Sequence, residues 1–340
     1  MKIRVLGGGW YGSSITMGLL ADGHDVVLHE IAEQLFTGAS GGNPARLHLG
    51  FHYPRSGMTQ AACQEHYAAF MLKYGHLTRG VPINLYAVAA DDSLVDFRSY
   101  CDTLRGRVEF IRVHPDEYGL QNVEGAVLTG ERHIVIDKAR AWFTEELKGH
   151  VRFAMAPGSV DDPQWDMTID CSFCANDSEN IDRFEPCVMA LLQGPADTAV
   201  TIMDGQFGSL FPWNEDKHLS SLTSAKFTPI SKTCRTWVEA KHILDNQTTS
   251  DLEARANAMF DQMAHYWPAC QDRYRIVDYR RTIRAMPRSA ADSRLVDVVR
   301  IGERALRVRA GKIDAVFHAE RIVKEQIAAS RNFVKAKMVA

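Results

Sequence analysis

Apolar and polar positions change period three times within the first thirty or so residues. Residues 2–6, KIRVL, form a short β-rich run, and Gly7-Gly8-Gly9-Trp10-Tyr11-Gly12 follows at once. SSITMGLLADG then carries apolar residues at helical spacing and ends on Gly23. DVVLHE is a second apolar run, closing on Glu30. Strand, glycine turn, helix and strand in this order predict a βαβ unit at the N-terminus.

Further along, residues 38–56 read GASGGNPARLHLGFHYPRS and have no clean helical or strand period. MTQAACQEHYAAFMLKYGHL predicts a helix, INLYAVAAD a strand, SLVDFRSYCDTL a helix entered near Ser93, and VEFIRV a strand. GAVLTGERHIVI reads as strand, turn and strand, and KARAWFTEEL as a helix entered through Asp137. DMTIDCSF has the character of a strand returning to the first sheet. From 185 to 230 the texture turns β-rich, with turn signals at Gly194-Pro195, Asp204-Gly205 and Asn214-Glu215-Asp216, which predicts an antiparallel sheet. SDLEARANAMFDQMAHYW is an amphipathic helix stopped by Pro268. An arginine-rich stretch, two β-like runs and a final helix KIDAVFHAERIVKEQIA complete the chain.

At 340 residues the chain exceeds one ordinary core, and with no repeat or low-complexity linker the domains are expected to interleave. A formal net charge of -3 leaves no excess of basic residues to neutralise phosphates, which argues against a nucleic-acid partner. No run long enough for a membrane span occurs, and the start lacks the h-region of a signal peptide. Seven dispersed cysteines fit reduced thiols, and the reading is a cytoplasmic protein. Cys171 and Cys174 form one CxxC without a second pair or nearby histidine, so small core residues are the reading and no metal is expected.

Gly7-x-Gly9-x-x-Gly12 between a strand and a helix has a physical job. Gly7 permits the tight turn, Gly9 lets a pyrophosphate approach the backbone, and Gly12 lets helix and strand pack closely. Glu30 at the end of the second strand is placed to accept from a ribose hydroxyl. The spacing admits both NAD and FAD. The irregular loop directly after the second strand and the β-rich middle fit a flavoprotein better.

The residues GGGWYG, LHE and GASGGNPARLHLGFHYPRS together resemble the FAD-dependent oxidoreductases of the D-amino-acid oxidase, glycine oxidase and L-2-hydroxyglutarate dehydrogenase superfamily. The resemblance implies an α/β fold, α+β overall: a Rossmann-type FAD-binding domain interleaved with an antiparallel-sheet substrate domain. The former is expected over 1–80, 130–180 and 280–335, the latter over 81–129 and 181–279. Implied FAD contacts are Gly7, Gly9, Trp10, Tyr11, Gly12 and Glu30, then Ser40, Asn43, Ala45, Arg46, Leu47 and His48. Ala39 and Gly50 fall in the same loop. Looser likeness in LRVRAGKIDAVFHAERIV implies that Gly311, Lys312 and Ile313 lie near the flavin pyrimidine edge, with AGKID standing where the family usually has a GHG-type loop. Flavin hydroxylases share the N-terminal fold but carry a Gly-Asp where this chain reads Ile301-Gly302-Glu303.

In such enzymes a hydride passes from a substrate C–H to flavin N5, so the protein's task is orientation and exclusion of water. Candidates for contact with flavin or substrate are His48, His52 and Tyr53. Arg284 or Arg288, within DYRRTIRAMPRSAADSR, can fork onto a substrate carboxylate. Tyr279 can donate to the same group, and Phe211, Pro212 and Trp213 can form an apolar lid. The expected partner is a small molecule bearing a carboxylate: an amine or amino acid, or a 2-hydroxy acid on the same fold. A flavin-dependent monooxygenase and a non-catalytic flavin-binding protein are the alternatives.

Overall fold

The computed structural model describes residues 1–156, 158–173, 181–214, 216–287, 296–309 and 311–339. The chain divides into two compact units, Met1–Gly41 with Lys138–Ile181 and Pro287–Ala340, and Gly42–Asp137 with Asp182–Met286. Residues 42–80, 130–137 and 280–286, which the resemblance groups with the FAD-binding domain, pack within the second unit.

The first unit holds a six-stranded sheet in the order Asp297–Gly302, Ala305–Arg309, Met167–Asp170, Lys2–Leu6, Asp25–His29, Val151–Arg152. Its strands run parallel apart from the hairpin of the first two. The expected βαβ unit is present, with Ile3 opposite Val26, and Met167–Asp170 does return beside the first strand. That central strand is buried on both faces, as a covered parallel sheet requires. Two glycines make the turn possible. Gly7 has φ +96°, and a Cβ on Gly12 would stand 1.9 Å from the Gly7 carbonyl oxygen. The helix Trp10–Ala21 packs on the last helix, Val316–Val339, where a Cβ on Gly18 would meet the Glu320 carboxylate at 2.1 Å. Trp10, Phe36 and Phe143 meet at ring distances of 5.1 to 5.5 Å and close one side of this core.

The second unit is built on an eight-stranded sheet in the order Arg275–Pro287, Ile181–Gln193, Leu219–Ser224, Gly208–Asn214, Thr198–Met203, Ile83–Ala89, Val123–Thr129, Phe110–Val113. The alternation of side chains gives its two faces different characters. Leu85, Ala87, Val200, Ile202, Leu210 and Leu222 pack on the helix Thr249–Tyr266 through Ala256, Met259 and Met263. The registers put Asn84, Tyr86 and Val88 in line with Ala199, Thr201 and Met203, and Thr201 with Ser209, on the opposite face. Here the sheet departs from the antiparallel expectation, because Thr198–Met203 runs parallel to Ile83–Ala89. The two strands lie more than a hundred residues apart, so no tight turn dictates their direction.

Two local expectations also shift. The helix expected near Ser93 is Phe97–Leu104, because the Asp96 carboxylate, not the Ser93 hydroxyl, caps it by accepting from the Ser99 N–H. GAVLTGERHIVI does contain two strands, Val123–Thr129 and Arg132–Ile134, but they enter different sheets. Arg132–Ile134 joins Arg46–Leu47 and Thr78–Gly80 in a small three-stranded sheet. That divergence at Gly130-Glu131 shapes the site described next.

Candidate functional site

Within the first unit, the N-terminus of the helix Trp10–Ala21 is a prepared anion site. Its N-cap, Gly9, is extended and offers no side-chain cap, and its first turn carries no acidic residue. The Ser40 hydroxyl reaches over this end and accepts from the Trp10 N–H at 3.0 Å. A Cβ on Gly9 would stand 2.7 Å from that same oxygen, so the small residue keeps open the approach to the first-turn N–H groups. Glu30 is buried and ties the turn together: Oε2 accepts from the Gly8 N–H at 2.6 Å and Oε1 from the Ala32 N–H at 2.8 Å. A carboxylate has about four acceptor sites, so these two bonds leave it able to accept from a ribose hydroxyl as well. The Tyr11 phenol, pushed up by burial, donates to the Lys312 carbonyl, which links the glycine turn to the segment of Gly311, Lys312 and Ile313. A cradle only glycine can form, with helix donors and a hydroxyl at its mouth, fits the diphosphate of FAD.

Within the second unit, the irregular loop begins with a turn in which the Ala45 N–H donates to Asn43 Oδ1 at 2.7 Å and Ala45 takes φ +53°. Leu47 is buried in the short strand Arg46–Leu47. Arg46 is 9% exposed and its guanidinium donates to Tyr86 Oη at 2.8 Å, Thr201 Oγ1 at 3.0 Å and Ser209 Oγ at 2.6 Å. It also lies 4.1 Å over the Phe211 ring. Its countercharge is Glu131, fully buried, with Oε2 accepting from Tyr86 at 2.6 Å and Oε1 from the Leu49 N–H at 2.7 Å. The Asn84 amide donates to the Glu131 carbonyl at 3.2 Å. His48 Nδ1 stands 3.5 Å from Glu131 Oε1. Burial alone would raise the Glu131 carboxyl, but His48, Arg46 and the Tyr86 hydroxyl outweigh it and hold the group at about 2. Burial pushes the Tyr86 phenol well above its usual range. Tyr86 is therefore a neutral hydroxyl that accepts from Arg46 and donates to Glu131.

His48, His52 and Tyr53 form a ring cluster, with centroids 5.8 Å apart for the two histidines and 5.7 and 5.4 Å to Tyr53. His48 is half-buried and His52 exposed. The structure thus brings His48, His52 and Tyr53 together with Arg46. It places Arg284 elsewhere in the unit: Nε donates to Glu185 Oε2 at 2.9 Å, and Arg183 Nε holds the other oxygen of that buried carboxylate at 2.7 Å. Arg288, like Cys174, lies outside the described residues. Tyr279 packs beside the helix-facing core, Arg280 lies 5.3 Å over Trp213, and Phe211 is buried under Arg46. Sequence reasoning missed Glu131, Tyr86, Asn84, Thr201 and Ser209. The alternation of Asn84 and Tyr86 along INLYAVA was a readable signal, since both fall on one face of an otherwise apolar strand. Glu131 gave none, because a glutamate after a glycine reads as a solvated turn.

This fold and cradle define the class: the chain belongs to the FAD-dependent oxidoreductases, and its fold is that of glycine oxidase. The FAD-dependent monooxygenase FPY4 of Fusarium mangiferae is 33% identical over 337 residues, spanning 95% of this chain and 90% of that protein. Glycine oxidase from Geobacillus kaustophilus superposes with a TM-score of 0.68 at 13% identity, covering 92% of this chain and 90% of its own. L-proline dehydrogenase from P. horikoshii does so with a TM-score of 0.65 at 14% identity, covering 93% and 89%. No family model matches the chain. Among the described residues no helix is long and apolar enough to cross a membrane.

Proposed function

We propose that the protein is an oxidase or dehydrogenase that takes a hydride from a small amine, amino acid or related carboxylate. The single observation behind this reading is the polar face of the eight-stranded sheet, where Arg46 and Glu131 are buried among the hydroxyls of Tyr86, Thr201 and Ser209. Ionised groups are carried into a packed core at a cost, and a hydrogen-bonded network beside a histidine cluster suits orientation of a polar small molecule. FAD, when bound, supplies the two-electron oxidation at its N5 position. In this reading Gly7, Gly9, Trp10, Tyr11, Gly12 and Ser40 hold the diphosphate and Glu30 the ribose. Asn43, Ala45, Leu47, Gly311, Lys312 and Ile313 remain assigned to the cofactor through the family resemblance. His48, His52 and Tyr53 face the chemistry. Arg284 remains a candidate carboxylate anchor only if substrate competes for it with Glu185.

A second reading, an FAD-dependent monooxygenase, rests on the name carried by the fungal relative. Anaerobic titration of the purified flavoprotein separates them. Bleaching of the flavin by an amine, amino acid or 2-hydroxy acid, without any nicotinamide, is the expected result. Bleaching by NADH or NADPH alone, with none of those donors effective, overturns the proposal in favour of the monooxygenase. Bleaching by neither points to a non-catalytic flavin carrier.

A further inference from the structure

Tyr11 stands in the first turn of the helix Trp10–Ala21, and its side chain is buried. A buried phenol needs a partner for its hydrogen, and this one reaches across the first unit to donate to the Lys312 carbonyl. Burial, reinforced by the Asp314 carboxylate, pushes the phenol up, so the hydroxyl keeps its proton and the bond keeps its direction. The same carbonyl accepts from the Ala315 N–H at 3.2 Å, which closes the turn Ile313–Ala315 at the start of the last helix. Lys312 is the extended N-cap of that turn and gives it no side-chain cap. Two donors from different elements thus fix which way the Lys312 carbonyl faces. In a planar trans peptide the carbonyl and the following N–H point in opposite directions, so the Ile313 N–H is turned away from Tyr11. As the first N–H of the turn, it precedes the bonds that run within the helix.

The two helices that meet here run side by side in one direction. Tyr11 meets Lys312, a Cβ on Gly18 would meet Glu320, and Lys324 Nζ lies 3.0 Å from Asp22 Oδ2. Their N-termini therefore open at the same end of the unit, and the Tyr11 hydroxyl ties one to the other. We propose that Tyr11 is a positioning residue for the flavin ring: its backbone belongs to the diphosphate turn, while its hydroxyl sets the Lys312–Ile313 peptide so that the Ile313 N–H is presented to the cofactor. This rests on the assignment of Gly311, Lys312 and Ile313 to the flavin edge. The hydroxyl acts on the ring only through that peptide. Without it the ring of residue 11 still packs, but Ala315 alone holds the carbonyl and the peptide turns more easily.

The test compares FAD with ADP, which reaches the diphosphate cradle and has no flavin, on the cofactor-free full-length protein. Tyr11→Phe is expected to raise the dissociation constant of FAD ~fivefold, the worth of one hydrogen bond, and to leave that of ADP unchanged. The urea midpoint of the cofactor-free form should stay nearly the same, since Lys312 keeps its Ala315 bond. Equal weakening of FAD and ADP would assign Tyr11 to the diphosphate turn alone, and unchanged FAD affinity would leave the hydroxyl without a role; either overturns the proposal. Hydrogen exchange of the wild type supplies a second readout, which decides the matter if Tyr11→Phe does not fold. The Ile313 amide should exchange ~tenfold more slowly with FAD bound and at its original rate with ADP bound. Slowing by both ligands, or by neither, overturns the proposal. No substrate enters either experiment, so the outcome is independent of whether the enzyme is an oxidase, a dehydrogenase or a monooxygenase.

Discussion

Acid titration of Glu131 offers a stability prediction whose size follows from the geometry. An unperturbed glutamate titrates near 4.5, and Glu131 is held at about 2 by His48, Arg46 and the Tyr86 hydroxyl despite its burial. Between those values the unfolded chain binds the proton and the folded chain does not. The resulting stabilisation is fully present above about pH 5 and is lost as pH falls through about 4.5 towards about 2. The whole interval corresponds to about 3 kcal/mol, of which about 0.8 kcal/mol is gone by pH 4 and about 2 kcal/mol by pH 3. Other carboxylates titrate over the same range, so the quantity to follow is the difference between wild type and Glu131→Gln in urea unfolding at each pH. Near neutrality that difference should be about 3–5 kcal/mol, because the amide leaves Arg46 buried without its anion. It should then shrink with acid along the curve above. A difference that stays flat between about pH 6 and about pH 3 would show that Glu131 is not held ionised by these partners, and the network would need another account.

Four further outcomes follow from other parts of the molecule. Gly9→Val should abolish FAD retention, read from the visible spectrum of the purified protein, while leaving the urea midpoint of the cofactor-free form nearly unchanged; full flavin content would refute the cradle. Gly12→Ala should instead lower the stability of the cofactor-free form by ~3 kcal/mol, because its Cβ meets backbone 1.9 Å away and neither element can yield cheaply. Arg284→Ala should cost about 1–2 kcal/mol in chemical unfolding, since Glu185 keeps Arg183, and should leave KM unchanged; a KM raised about tenfold at unaltered stability would make Arg284 a substrate anchor. Burial pushes the Cys187 thiol up to about 11 and the Cys270 thiol up to about 12, so neither should react with a maleimide near pH 8 until the protein unfolds, as peptide mapping would show.

The legible and illegible parts of this protein divide along the range of the interactions involved. Gly7, Gly9 and Gly12 could be read because their reason is local: a turn, a close helix–strand contact and a helix terminus all lie within twelve or so residues. The return of Met167–Asp170 to the first strand was readable for a related reason, since a short apolar strand after a βαβ unit needs a parallel neighbour. Arg284 shows where this stops. The sequence marks its side chain as an anchor for a substrate carboxylate, but the carboxylate the fold supplies is that of Glu185, 99 residues away on a neighbouring strand.

Glu131 shows the limit more sharply. Nothing in TGERH separates a solvated turn glutamate from a buried one, and the difference arises only because the strands on its two sides enter different sheets. Once Arg132–Ile134 pairs with Arg46–Leu47 instead of folding back on Val123–Thr129, the residue at the branch must point into the space between the sheets. A carboxylate there survives only if donors converge on it. The Leu49 N–H and the Tyr86 hydroxyl do so from two segments, His48 Nδ1 stands 3.5 Å away beside Leu49, and the Asn84 amide fixes the same residue through its carbonyl. The histidine that the sequence marks as a candidate thus stands 3.5 Å from a glutamate that sequence pattern cannot mark, and a strand-pairing choice joins the two.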